Sequence, residues 1–131
     1  MVNALNQYRS YQTETSSPED QVALLYDGAR RFTDKATAAL EAGVLDQASY
    51  NVGRAQAILT QLSAALNFDT GEIAQNLWKL YDYWEWRLSE GLIKREPAAL
   101  REVSATLMDM QSAWAEAARQ VRIQRGMRSL G

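Results

Sequence analysis

Residues 15 to 43 read TSSPEDQVALLYDGARRFTDKATAALEAG, and the fold turns on how this stretch is read. Ser17 is a natural helix cap, Pro18 brings its fixed φ to the first helical position, and Glu19 and Asp20 set negative charge against the helix dipole. From there Val22, Leu25, Ala29, Phe32, Ala36 and Leu40 recur every three or four residues, the period of a helix packed on one face, until Gly43 stops it. One apolar face cannot be buried alone, so the rest of the chain must supply matching faces.

Three further stripes do so. A second helix opens near Asp46 and carries Val52, Ala55, Leu59, Leu62 and Leu66. A third opens at DTGE, where Asp69 caps and Glu72 completes a capping box, with Ile73, Leu77, Leu80, Trp84 and Leu88 as its stripe. The fourth begins at Glu96 and Pro97 and repeats Leu100, Val103, Leu107, Met110, Trp114, Ala117 and Val121. The links GVL, NFDT and KRE are short enough to turn each helix back along its predecessor. The predicted fold is all-α, an antiparallel up-and-down four-helix bundle over residues 17–118.

Two segments fall outside it. Residues 1–16 keep Leu5, Tyr8 and Tyr11 at helical spacing, but the helix they could form, roughly 12 residues or fewer, is too short to be stable alone. They are predicted to be a mobile, loosely attached segment needing a surface to lie on. Residues 119–131 carry Arg119, Arg122, Arg125 and Arg128 with no acid among them, and read as a solvated basic tail.

Composition narrows the chemistry. The 131 residues make one domain, with 14 basic and 16 acidic side chains and a formal charge of −2, so there is no electrostatic footprint for nucleic acid. The absence of cysteine removes disulfides, thiolate catalysis and Cys-based zinc sites, and the absence of histidine removes the usual base partners and the ligands of bundle di-iron sites. No cofactor is expected. Neither a signal peptide nor a run of the ~20 apolar residues of a membrane span is present, which reads as a cytoplasmic protein without membrane insertion. Asp27 and Asp82 each follow Leu-Tyr and could form an acid pair, but two polar residues at the edge of a core stripe are the favoured explanation.

The unusual part is NLWKLYDYWEWRL, residues 76–88, which crowds in Trp78, Tyr81, Tyr83, Trp84 and Trp86. At about 100° per residue Trp84 falls on the core stripe, Tyr81 and Tyr83 flank it with hydroxyls toward water, and Trp78 and Trp86 lie roughly 130° to 150° away. The same count leaves Leu24 and Met108 outside their stripes. Exposed tryptophans suggest a binding surface, since Trp is enriched at binding hot spots. Gly28, inside the first helix, suggests close approach by another element, a packed neighbour helix being the plainest.

Taken in order, SSPEDQVALLYDGARRF, then AQAILTQLSAALNFDTGEIAQNLWKLYDYWEWRL, then REPAALREVSATLMDMQSAWAEA resemble the FliS family of flagellar export chaperones over roughly residues 5 to 118. The resemblance rests on Ser17-Pro18-Glu19, the LYDG of Leu25 to Gly28, GEIA and NL within Gly71 to Leu77, the LYDY of Leu80 to Tyr83, Arg87 and Leu88, and Trp114. It departs at Trp84, where the family usually has a smaller residue or Met, and at Trp86, where it has a polar one. What the resemblance implies is a non-enzymatic chaperone that binds the disordered C-terminal segment of flagellin, prevents premature polymerisation and brings it to a flagellar export-gate protein. Leu5, Tyr8, Leu24, Tyr26, Asp27, Gly28, Trp78, Tyr81, Trp86 and Met108 are the candidate partner-binding residues. The free chain is expected to be a monomer or weak homodimer. The alternative is a structural or homo-oligomeric helical-bundle adaptor, in which the outer tryptophans bury against a second copy.

Overall fold

The structure, a computed structural model, describes residues 17–130. Four helices follow in order: α1 (Pro18–Glu41), α2 (Leu45–Ala64), α3 (Glu72–Lys94) and α4 (Pro97–Leu130), with a single 3-10 turn (Phe68–Thr70) before α3. The expected start of α1 is realised: Ser17 Oγ accepts from the Asp20 backbone N–H at 3.0 Å and donates to the Asp20 carboxylate at 2.8 Å. Its end is also as expected. Gly43 takes φ 75°, and Val44 N–H reaches back to the Ala39 carbonyl at 2.9 Å, a closure that favours glycine at the left-handed position.

Cross-helix polar contacts fix the directions. Arg101 pairs with Glu41, Ser104 donates to Asp34, Gln111 reaches Asp27 and Arg122 meets Asp20, so α4 runs antiparallel to α1 along its whole length. The Gln56 amide donates to the Glu85 carbonyl and to Ser89 Oγ, and Thr60 donates to Glu85, tying α2 antiparallel to α3. Tyr83 and Arg87 both donate to Glu102 across α3 and α4. Successive helices therefore close a ring in which α1 packs on α2 and α4, and α3 on the same two. This is the four-helix bundle read from the sequence.

The core follows the stripes in part. Val52, Leu59, Leu62, Trp84, Leu88, Leu100, Val103 and Leu107 are buried as expected, with Tyr26, Ala29 and Ala36 between them. Burying such side chains is worth about 1.5–3 kcal/mol each, before the cost of ordering them. On α1 the buried face also takes in Thr33 and Thr37, whose hydroxyls donate to the Ala29 and Thr33 carbonyls at 2.8 Å and so enter the core satisfied.

Several expectations are corrected. On α3 the buried residues are Ala74, Tyr81, Trp84, Leu88 and Gly91, so the core face is turned by about 30° from the predicted stripe. Ile73 is exposed as a result. The predicted capping box is absent: Asp69 sits in the 3-10 turn, and α3 is entered through Gly71 at φ 80° without a side-chain cap. The α3–α4 corner uses Arg95 at φ 56°, the left-handed place usually filled by glycine, and Glu96 N–H closes it onto the Gly91 carbonyl at 2.8 Å. The basic segment expected as a solvated tail is continuous helix with α4 through Leu130, and Arg122 in it holds Asp20 at 2.6 Å.

Candidate functional site

Where α1 begins and α2 ends, a cavity of about 390 Å³ lies between all four helices, with the link from α2 to α3 forming part of its wall. Val22 and Leu25 of α1, Leu62 of α2, Leu66 of the link, Leu77 and Tyr81 of α3 and Trp114 of α4 form its walls, with Pro18, Gln21, Gln61 and Asn67 near its mouth. Among the described residues no charged side chain lines it. An apolar concavity of this size suits a few large apolar side chains of a ligand, oriented by polar groups at the edge.

Its floor is built from aromatic rings. Tyr26 is fully buried and donates from its hydroxyl to that of Tyr81 at 2.8 Å, while its ring meets Trp84 edge-on with centroids 6.1 Å apart. Tyr81 packs on Trp84 at 5.9 Å. Burial pushes the Tyr26 phenol far up, and the Tyr81 hydroxyl adds to this; burial also raises Tyr81, against which the proton donated by Tyr26 pulls down. Both phenols are neutral at physiological pH. At the mouth, burial raises the Asp20 carboxyl, but hydrogen bonds from Arg122 and Ser17 outweigh it and leave the group lowered.

The candidate residues are not gathered into one site. Tyr26 is core, and Tyr81 is core on one side and cavity floor on the other; neither hydroxyl reaches water as the flank position of Tyr81 had suggested. Asp27 is engaged by Arg30 at 3.0 Å, Arg31 at 2.8 Å and Gln111 at 3.1 Å, which ties α1 to α4. Gly28 faces α2: a Cβ there would come within 3.2 Å of Ile58 Cδ1, so the close neighbour is a side chain of the bundle itself. Leu24 is half-buried rather than exposed. Trp78, Trp86 and Met108 are exposed, at 46%, 54% and 51%. They lie on three different faces, because Trp78 shares the α2 edge of α3 with Glu85, Trp86 points away from the bundle, and Met108 lies between the α1-facing residues Ser104 and Gln111. Leu5 and Tyr8 lie outside the described residues.

The reading by stripes missed Val22, Leu25, Leu66, Leu77 and Trp114 as cavity wall, having placed them all in the core. Each is half-buried. For Val22, Leu66 and Leu77 the available signal was a position near a helix end; Trp114, in the middle of α4, offered none. Among the described residues no cluster of acids could hold a metal ion, and no helix is long and apolar enough to cross a membrane.

Fold and site together define a helical-bundle protein with an apolar concavity at one end and exposed aromatic rings on its surface. Residues 1–121 match the family model FliS, Flagellar protein FliS, and the chain belongs to that family. It is 30% identical over 115 residues to the flagellar secretion chaperone FliS of Bacillus subtilis, covering 86% of each chain. It is also 30% identical over 118 residues to the flagellar secretion chaperone FliSB of Pseudomonas aeruginosa, covering 86% of this chain and 94% of that one. A solved structure described as a flagellar chaperone from bacteria superposes with a TM-score of 0.73 at 19% identity, over 89% of this chain and 98% of the other, a likeness of fold. The protein is a flagellar export chaperone and not an enzyme.

Proposed function

We propose that this chaperone captures the disordered C-terminal segment of a flagellin in the cytoplasm, prevents its polymerisation and carries it to the flagellar export gate. The observation that carries the reading is the open cavity of about 390 Å³ with uncharged walls, in a chain of this family. An amphipathic helix of the client lays its apolar face there, and Trp78 extends the contact along the α2–α3 edge. Leu5 and Tyr8 act as a lid. The segment 1–16 joins the bundle at Ser17, beside Pro18 at the cavity mouth, so both side chains are within tether length of the cavity. A lid lowers apparent affinity by the fraction of molecules it closes.

Calorimetry with the C-terminal segment of the same organism's flagellin tests the capture. Coupled folding that buries on the order of 1,000–3,000 Å² gives a clearly negative heat-capacity change. Val22→Lys, which puts a charge in the apolar mouth, should weaken binding by at least about tenfold. Absence of binding, or full affinity in that variant, refutes the reading. For the lid, Leu5→Ala with Tyr8→Ala should speed association; faster dissociation with an unchanged association rate means that these residues touch the client instead.

A further inference from the structure

The cavity floor holds a chain of hydrogen bonds that does not end within the protein. Trp114 carries one ring N–H and no acceptor, and it hydrogen-bonds the Tyr26 oxygen. Tyr26 has a single proton of its own. It is 0% exposed and does not line the cavity, so that proton goes to the Tyr81 oxygen at 2.8 Å. The chain therefore runs one way, from Trp114 through Tyr26 to Tyr81. Tyr81 in turn keeps one proton. Among the described residues that proton meets no acceptor, and at 2% exposure it is closed to bulk water, yet Tyr81 lines the cavity. A donor at the end of such a chain is polarised by the bonds behind it and is the stronger for them.

We infer that the Tyr81 hydroxyl selects the client side chain that reaches the floor, which must carry a neutral hydrogen-bond acceptor, an amide or hydroxyl oxygen, within an otherwise apolar face. This rests on the client-binding reading of the cavity and adds what the client must bring to it. An aliphatic side chain would fill the volume but leave the donor buried without a partner, which costs affinity. A carboxylate accepts, but among the described residues no cation lines the walls to offset its desolvation. Lysine and arginine bring only donors to meet a donor. The occupant is thus an amphipathic segment with asparagine, glutamine, serine or threonine at the centre of its apolar face. Apolar walls supply the affinity, and one buried polar group sets the register.

Benzonitrile and ethynylbenzene, probes of one shape of which only the first carries a nitrogen acceptor, test this on the full chain without any client. In the parent, benzonitrile should bind with its nitrile stretch at the hydrogen-bonded frequency. Tyr81→Phe should weaken benzonitrile about fivefold, move the stretch to its apolar-solvent frequency, and leave ethynylbenzene unchanged or tighter. Tyr26→Phe takes a hydroxyl from the same pair but keeps the Tyr81 donor, so it should retain the nitrile signature. Circular dichroism checks that both variants are folded. No binding of benzonitrile to the parent, the same stretch in parent and Tyr81→Phe, equal loss of both probes in Tyr81→Phe, or loss of the signature in both variants overturns the inference. With the flagellin C-terminal segment, replacing each Asn, Gln, Ser and Thr in turn by an apolar residue of similar size should find one position whose cost, about fivefold, disappears in Tyr81→Phe. A segment that binds without such a position overturns the inference; a segment that does not bind refutes the client reading and leaves the two probes to decide on the donor.

Discussion

Removing one hydroxyl from the buried tyrosine pair should cost nearly as much as removing both. Tyr26 is 0% exposed and Tyr81 2%, and their hydroxyls meet at 2.8 Å amid apolar rings. Tyr26→Phe deletes the donor and leaves Tyr81 without that proton; Tyr81→Phe deletes the acceptor and leaves the buried Tyr26 proton without a partner, while Trp114 still hydrogen-bonds the Tyr26 oxygen. A polar group left unsatisfied in such a site costs about 1–3 kcal/mol, whereas taking away both partners together is far less costly than the sum. Each single variant should therefore lose about 2 kcal/mol. The double variant should lose about 1–2 kcal/mol rather than about 4, a coupling of comparable size to either single loss.

Thermal unfolding followed by circular dichroism can resolve this. A specific unfolding entropy near 2.1 cal/mol/K per residue, over 131 residues, turns 2 kcal/mol into a Tm shift of about 7 °C. Tyr81→Phe should fall further than Tyr26→Phe, because the Tyr81 hydroxyl left behind by the Tyr26 change lies at the cavity and can turn toward entering water. Strictly additive losses, or single variants within about 0.5 kcal/mol of the parent, would refute the claim that the bond is a desolvated pair.

The same two phenols predict an alkaline limit: both are raised in the folded state above the ordinary value of 10.0, so stability should be level below about pH 10 and fall above it, where only the unfolded chain ionises them freely. Urea unfolding across that range should show the fall, much reduced in the double Phe variant. Gly91→Ala should destabilise by about 1–2 kcal/mol despite a better helix propensity, since its Cβ would stand 2.9 Å from Ala99 Cβ and 2.5 Å from Leu100 Cδ1 at the α3–α4 corner. Gly126→Ala, with open space around it, should be neutral or slightly stabilising in the same urea melts. Trp78→Ala should change stability by less than about 1 kcal/mol because the ring is exposed, while Trp114→Ala, half-buried in the cavity wall, should lose about 2 kcal/mol, short of the 3–5 of a core ring. Both should weaken client binding by about tenfold or more in calorimetry.

The contrast between α2 and α3 explains how far the sequence could be read. On α2 the large apolar residues Val52, Leu59 and Leu62 are themselves the buried centre, so counting them recovers the face. On α3 the centre is marked by Ala74 and Gly91, which let neighbouring helices come close but give no apolar signal, and by Tyr81, whose hydroxyl would count against burial. Its partner Tyr26 lies 55 residues away, and nothing local in the chain announces that the two will satisfy one another. On α4 the strict seven-residue repeat holds through Leu107 and then drifts, because 3.6 residues per turn gains about 20° on each heptad; Ala118 rather than Ala117 is buried about three turns beyond. Residues assigned to a core by periodicity become cavity wall wherever the layer that would cover them is missing, and periodicity carries no record of where a layer ends. Binding surfaces built this way look like core in the sequence, which is why Leu25, Leu77 and Trp114 read as packing and the isolated outer rings read as the site.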